Sequence, residues 1–177
     1  MTQKENKKLW TIGHSTHSLD NFIDMLESYN IVHLVDIRRF PSSRKFPQLN
    51  KENLEKSLTY HNIQYNHLEE LGGRRKANPD SKNTIWRNTW FMGYADYMET
   101  SEFKEGLETL KKMAFKKRKV ITCSEAVWWR CLCSMVSDIM KAEEWKVMHI
   151  MGIGKEQEHP YTEPAKIIKW KLSYENL

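Results

Sequence analysis

The sequence contains no apolar run long enough to span a bilayer, and no apolar segment near its start of the kind a secretion signal needs. Its opening, Met1-Thr2-Gln3-Lys4-Glu5-Asn6-Lys7-Lys8, is polar and leads straight into a strand-like segment, so a cytoplasmic protein without membrane contact is expected. The glycines form neither a G-x-G-x-x-G fingerprint nor a P-loop, which removes the usual sequence signals for a dinucleotide or a nucleoside triphosphate. Cysteine is scarce. Cys123, Cys131 and Cys133 are an odd set within eleven residues, a poor disulfide framework that suits a reducing compartment. They also lack the paired C-x-x-C spacing of zinc sites, so free thiols, no metal and no cofactor are expected. No internal repeat or low-complexity stretch is present.

What remains is a chain of 177 residues, enough to bury a core without disulfides or a structural metal, and one domain over 1–177 is expected. Aromatic residues make up 11%, including seven Trp, which argues for a folded chain because disordered chains are poor in aromatics. Lys and Arg number 28 against 23 Asp and Glu, a net charge of +5 that favours anionic partners without resembling a basic tail.

Strand-like and helix-like segments alternate. Leu9-Trp10-Thr11-Ile12 reads as a strand halted at Gly13, and Ser18 or Asp20 can cap a helix over 21–29. The β-branched run Ile31 to Ile37 reads as a buried strand, followed by the basic loop Arg38 to Arg44. Asn50 can cap a helix over 51–60, and residues 63–68 read as a strand before Gly72-Gly73. Residues 73–93 are rich in Arg, Asn, Pro and Ser and too long for a routine connection, as expected of a functional or covering loop. Helical spacing returns over 94–98 and 101–115, then Val120-Ile121-Thr122-Cys123 has a buried-strand pattern. Residues 127–142 read as a helix, 145–150 as a fifth strand, 151–164 as a loop, and 165–174 as a short terminal strand or strand pair. The alternation predicts an α/β fold: a mostly parallel central sheet of about five strands flanked by helices in a Rossmann-like layered arrangement.

In such sheets ligands sit beyond the carboxyl ends of the strands, where loop amides and helix N-termini converge. The segments at those ends carry Gly13-His14-Ser15, then Asp36 with Arg38 and Arg39, then Glu69-Glu70-Leu71-Gly72-Gly73-Arg74-Arg75, then Cys123-Ser124-Glu125 with Arg130 nearby. Arg38, Arg39, Arg44, Arg74 and Arg75 suit bidentate contacts to phosphate or carboxylate, with Gly72 and Gly73 permitting close backbone approach. Those arginines equally suit a structural network with Asp36, Glu69, Glu70 and Glu125. His14 fits a general acid or base, with Ser15 as hydroxyl ligand, or a turn organiser. Asp36 fits a base or a loop anchor. Cys123 fits a thiolate at a helix N-terminus or an apolar filler. Between Cys123 and Arg130 stand six residues, one more than in the phosphatase-type loop whose cysteine and arginine bracket one phosphate. Glu125 completes the candidates for proton transfer, beside His14, Asp36 and Cys123.

The expected partner is therefore a small anion such as a nucleotide, a modified base or another phosphorylated compound. The alternatives are a nucleic-acid surface using the same basic loops with Trp86, Trp90, Trp128 and Trp129, or a partner-binding domain without catalysis. The Lys111 to Lys119 cluster fits a nucleic-acid backbone or a solvated helix end. The sequence carries no signal of oligomeric state.

Several segments together resemble domain-of-unknown-function family 488 (DUF488). They are Thr11-Ile12-Gly13-His14-Ser15, Val35-Asp36-Ile37-Arg38-Arg39-Phe40-Pro41-Ser42-Ser43-Arg44, Leu71-Gly72-Gly73-Arg74-Arg75, Gly93-Tyr94-Ala95-Asp96-Tyr97-Met98 and Cys123-Ser124-Glu125-Ala126-Val127-Trp128-Trp129-Arg130-Cys131. The tail from His159-Pro160-Tyr161-Thr162 through Tyr174 is similar as well. The resemblance implies an α/β fold and a shared polar site, adds Tyr94 and Arg130 to the ligand-binding candidates, and supplies no reaction. One departure stands out: after Cys131 the family pattern usually reads His-Arg-Ser, whereas this chain has Leu132-Cys133-Ser134.

Overall fold

A computed structural model describes residues 7–125 and 127–176. Residues 1–6 of the polar start, and Ala126 within the last of the strand-end segments, lie outside the described residues. The first strand, β1 (Lys8–Gly13), leads into α1 (Leu19–Glu27), which starts two residues earlier than the apolar spacing suggests. Its start is set by Ser18, whose hydroxyl accepts from the Asn21 amide at 3.1 Å; Phe22, Ile23, Met25 and Leu26 then form one buried stripe. β2 (His33–Asp36) is buried throughout, and α2 (Lys51–Tyr60) docks through Leu54 and Leu58. Asn50 precedes α2 but does not cap it with its side chain; its Oδ1 instead accepts from the Ser43 amide at 2.5 Å and folds the basic loop back.

β3 (Gln64–His67) is followed by the long segment and then α3 (Thr89–Met98) and α4 (Ser101–Lys116). The long segment is pinned by the buried Asp96, whose carboxylate accepts from Asn78 N, Ser81 Oγ and Asn83 Nδ2 at 2.8, 2.6 and 2.8 Å. Its middle part, residues 78–83, is thereby tied to α3. β4 (Lys119–Cys123) is buried along its length.

The helix expected over 127–142 is broken. A 3-10 turn spans Trp128–Arg130, Cys131 is extended, and α5 occupies only Cys133–Ala142. No Ser, Thr, Asp or Asn caps α5: Leu132 holds that place without a side-chain bond, which is why no cap marked the true start. β5 (Lys146–Gly152) follows. The loop expected over 151–164 contains a further strand, β6 (Lys155–Glu158), reached through Gly154 at φ +66°. All four β6 residues are exposed, so no apolar alternation announced it. β7 (Lys166–Ile168) and β8 (Lys171–Ser173) form the terminal antiparallel pair.

The main sheet has six strands in the order β3-β2-β4-β1-β5-β6, the first five parallel and β6 antiparallel at the edge. Alternate strand residues feed two cores. Leu9, Val35, Ile121 and Val147 face α3, α4 and α5, while Trp10, Leu34, Val120 and Met148 face α1 and α2. The architecture is α/β with helices on both faces. From β2 the chain winds outward to β3, and from the adjacent β4 it winds the other way to β5. The crevice between the carboxyl ends of β2 and β4 is thus a topological switch point. Among the described residues, no helix is long and apolar enough to cross a membrane.

Candidate functional site: a thiol-floored cleft with a guanidinium rim

Backbone hydrogen bonds tie the strand-end loops to one another. His14 N donates to Cys123 O at 3.1 Å and Ser15 N to Ser124 O at 3.0 Å, while Leu68 N donates to Asp36 O at 2.8 Å. Gly72 lets the β3 loop lie against the β2 loop, since a Cβ there would stand 2.7 Å from Arg39 Cα. Two non-glycine residues in these loops hold left-handed backbone, Ser15 at φ 41° and Arg74 at φ 59°. Such strain persists where surrounding contacts fix it, and it concentrates at functional loops.

Between the loops after β2, β3 and β4 opens a cleft of about 240 Å³. Arg38, Arg39 and Phe40 line it from the first loop, Gly73 and Arg74 from the second, and Ser124, Glu125, Arg130 and Leu132 from the third. Cys123, Cys131 and Cys133 line it too. A larger groove of about 460 Å³ runs along α3, α5 and β8 and contains none of the predicted site residues.

Asp36 and Arg38 form a closed unit. Asp36 is fully buried; its Oδ1 accepts from Arg38 N at 3.1 Å and Nε at 2.9 Å, and its Oδ2 from Arg38 Nη2 at 2.7 Å and Tyr65 Oη at 2.6 Å. Arg38 Nη1 donates to Leu49 O at 2.9 Å. Both oxygens of this buried carboxylate are taken up by donors from Arg38 and Tyr65, so the geometry here is that of an anchor. Burial, then the Asp36 charge and the hydrogen bond to it, push the Tyr65 phenol far above its ordinary range, so Tyr65 stays a donor.

The other arginines are placed differently. Arg39 donates to Arg74 O at 2.9 Å, and both guanidinium groups lie over the Phe40 ring, at 5.1 and 5.7 Å. Arg130 is exposed at the cleft. Among the described residues Arg39, Arg74 and Arg130 form no ion pair, whereas Arg38 does. Arg75 stands outside the cleft, stacked at 3.7 Å over Tyr97. Arg44 is exposed and does not line the cleft. Tyr94 is a core residue: it is fully buried and its hydroxyl donates to Leu71 O at 2.6 Å.

His14 is buried beside the cleft rather than lining it, with Nδ1 3.0 Å from Ser15 O. Burial lowers its pKa, partly offset by that backbone bond, which leaves it neutral near pH 7. Glu125 stands exposed at the cleft; Ser15 does not line it, and among the described residues it is hydrogen-bonded only through its backbone.

The fold brings together three thiols that their spacing left unconnected: the Sγ atoms of Cys123, Cys131 and Cys133 lie within 4.8 Å of one another, all buried. Cys123 and Cys133 are 3.1 Å apart, and the Cys133 amide donates to Cys131 Sγ at 3.3 Å. The hydrogen bond from Cys123 to the Cys131 sulfur raises the Cys123 pKa, and the Cys133 pKa rises through its bonds to both neighbours. Burial opposes ionisation of Cys131, but the thiols of Cys123 and Cys133 and nearby amides outweigh it and lower its pKa. Cys131, absent from the catalytic candidates read from the sequence, is thus the most acidic of the three thiols. Both residues that depart from the family pattern sit here: Leu132 packs on Gly73, where a Cβ would come within 2.2 Å of its Cδ1, and Cys133 is part of the thiol group.

Sequence reasoning also missed a buried polar chain behind the thiols. Thr11 Oγ1 lies 2.5 Å from His149 Nδ1, His149 Nε2 lies 2.7 Å from His159 Nδ1, and His159 Nε2 lies 2.8 Å from Asp138 Oδ1. Thr162 and Tyr174 also donate to Asp138, and Trp128 stacks on His149 at 4.7 Å. The one sequence signal was the polar stripe Ser134, Ser137 and Asp138 on an otherwise apolar helix. The basic run after α4 lies elsewhere: Arg118 donates twice to Tyr29 O and Lys119 is buried, at the amino end of β4 and the opposite end of the sheet from the cleft.

Fold and cleft together define the class: a layered α/β protein with a cationic strand-end crevice floored by thiols. The chain matches the family described as Domain of unknown function DUF488 over residues 18–140 and belongs to that family. The match covers β2, the cleft loops and most of α5; the similar segments at Thr11 to Ser15 and in the tail fall outside it. No curated protein and no solved structure matches the chain.

Proposed function

We propose that this protein is an enzyme, or derives from one, that binds a small phosphorylated or carboxylated compound in the cleft between the β2 and β4 ends. Arg39, Arg74 and Arg130 hold the anion, and the thiol floor meets its reactive end. The observation that carries this reading is that these three arginines line one crevice and form no ion pair among the described residues. Guanidinium groups in that state attract phosphate or carboxylate and bind either through paired N–H donors. Arg38 and Asp36 shape the wall without being spent on ligand.

A thermal-shift panel of nucleotides, nucleobases, sugar phosphates, carboxylates and short oligonucleotides tests this. A pocket ligand at about 100 times its Kd stabilises the native state by about 2.7 kcal/mol. For a chain of this size that raises Tm by roughly 5–10 °C. The response should survive moderate salt, whereas nucleic-acid binding through a basic surface would collapse steeply with salt. A response confined to oligonucleotides and lost in salt would replace the pocket reading with the nucleic-acid one; no response from any anion would overturn both.

A further inference from the structure

The three cysteines reach the cleft floor from different backbone settings. Cys123 ends β4, Cys131 occupies the extended break after the 3-10 turn, and Cys133 opens α5. That break turns two thiols from one short segment toward a third from the neighbouring strand. Around a zinc-sized ion with Zn–S bonds of about 2.3 Å, tetrahedrally placed sulfurs sit about 3.8 Å apart. The three sulfurs here already lie within 4.8 Å of one another, and the 3.1 Å pair must open by only a fraction of an ångström. All three residues line the cleft, so a fourth ligand has a route to them from that side.

We propose that Cys123, Cys131 and Cys133 form a three-thiolate site for a thiophilic metal ion of the zinc type, with its fourth position open to the cleft. An all-sulfur donor set selects zinc or softer ions over magnesium or calcium. Three protein ligands with one exchangeable position is the arrangement of zinc sites that do chemistry rather than brace a fold. Binding a divalent ion converts three thiols to thiolates and releases their protons, leaving one net negative charge on the centre. The N-terminus of α5 at Cys133 and the cleft arginine Arg130 offset that charge. An anion held by Arg39, Arg74 and Arg130 would then reach the open position. The site itself rests on thiol geometry alone and does not depend on the anion reading.

The test is a titration of the reduced, metal-stripped full chain with Cd²⁺ and with Co²⁺, anaerobically and without added anion. The expected result is saturation at one equivalent, with a thiolate-to-metal charge-transfer band for Cd²⁺ and intense tetrahedral d–d bands for Co²⁺. Three thiols should become protected from a thiol reagent, and Zn²⁺ should displace Co²⁺. Cys123→Ser, Cys131→Ser and Cys133→Ser should each weaken binding roughly tenfold or more. Circular dichroism and a thermal melt report whether each variant is folded, and thiol protection in the unmodified chain stands without any variant. Absence of the bands at one equivalent, protection of fewer than three thiols, or undiminished affinity in a folded Cys133→Ser would overturn the proposal. So would formation of a Cys123–Cys133 disulfide by a chain that, once reduced, binds no metal. Because no anion is present, failure here leaves the anion reading standing, and a failed anion panel leaves this site standing.

Discussion

Replacing Asp36 by Asn distinguishes an anchor from a base. The carboxylate is fully buried, paired with a guanidinium that is itself nearly buried, and accepts four hydrogen bonds. Asn keeps the shape but removes the charge, leaving Arg38 uncompensated, and turns an amide N–H₂ toward either the guanidinium or the Tyr65 hydroxyl. Removing one partner of a buried ion pair costs about 3–5 kcal/mol. At roughly 2–4 °C of Tm per kcal/mol for a chain of this length, Tm should fall by roughly 6–20 °C. Urea unfolding at neutral pH measures the loss. The double variant with Arg38→Met should lose less than the sum of the two single losses, by about 2–3 kcal/mol, because the orphaned cation has gone with its partner. If Asp36→Asn instead costs under about 1 kcal/mol while abolishing whatever reaction the screen uncovers, Asp36 is a base and the anchor argument fails.

Two buried histidines make the fold sensitive to acid. Burial holds His33 down to about 4 and His149 down to about 3, so both are neutral in the native state. The unfolded chain takes up their protons as pH falls below about 6.5, so stability is lost between there and the depressed values, at about 1.4 kcal/mol per pH unit for each histidine. His33→Gln should remove one proton's worth of that slope between about pH 6 and pH 4.5 in urea melts; an unchanged slope would show that His33 is charged in the fold. Tyr94→Phe removes the hydroxyl that donates to Leu71 O and should cost about 1–2 kcal/mol of stability with anion affinity unaltered. A Tyr94→Phe variant of normal stability that no longer binds the anion would place Tyr94 in the site after all.

Much of the fold was legible because burial writes itself into sequence. The β-branched runs of β2 and β4 and the Ser18 cap needed no tertiary information. β6 was invisible because every one of its side chains faces solvent, and α5 was drawn too long because no capping residue marks its start. The cleft arginines were legible as loop residues after strands, but not their division of labour. That Arg38 is locked to Asp36 while Arg39, Arg74 and Arg130 line a crevice depends on distances that spacing does not encode. The thiol group shows the same limit. Cys131 and Cys133 are two apart and Cys123 is eight further back, a pattern without a metal signature until the break before α5 turns them together. The Thr11–His149–His159–Asp138 chain joins three elements and the tail, and no local pattern could have announced it.

The central claim is that the β2–β4 cleft binds an anion through its guanidinium rim. Titration of inorganic phosphate, followed by phosphorus NMR line broadening, puts it to the test in four proteins: the unmodified chain, Arg74→Ala, Arg130→Ala and Arg44→Ala. Arg44 is an exposed arginine of the same basic loop region that does not line the cleft, so it controls for net charge. Saturable binding by the unmodified chain and by Arg44→Ala, weakened roughly tenfold in Arg74→Ala and Arg130→Ala, is the predicted result. Equal weakening in all three variants, or no weakening in any, would contradict it.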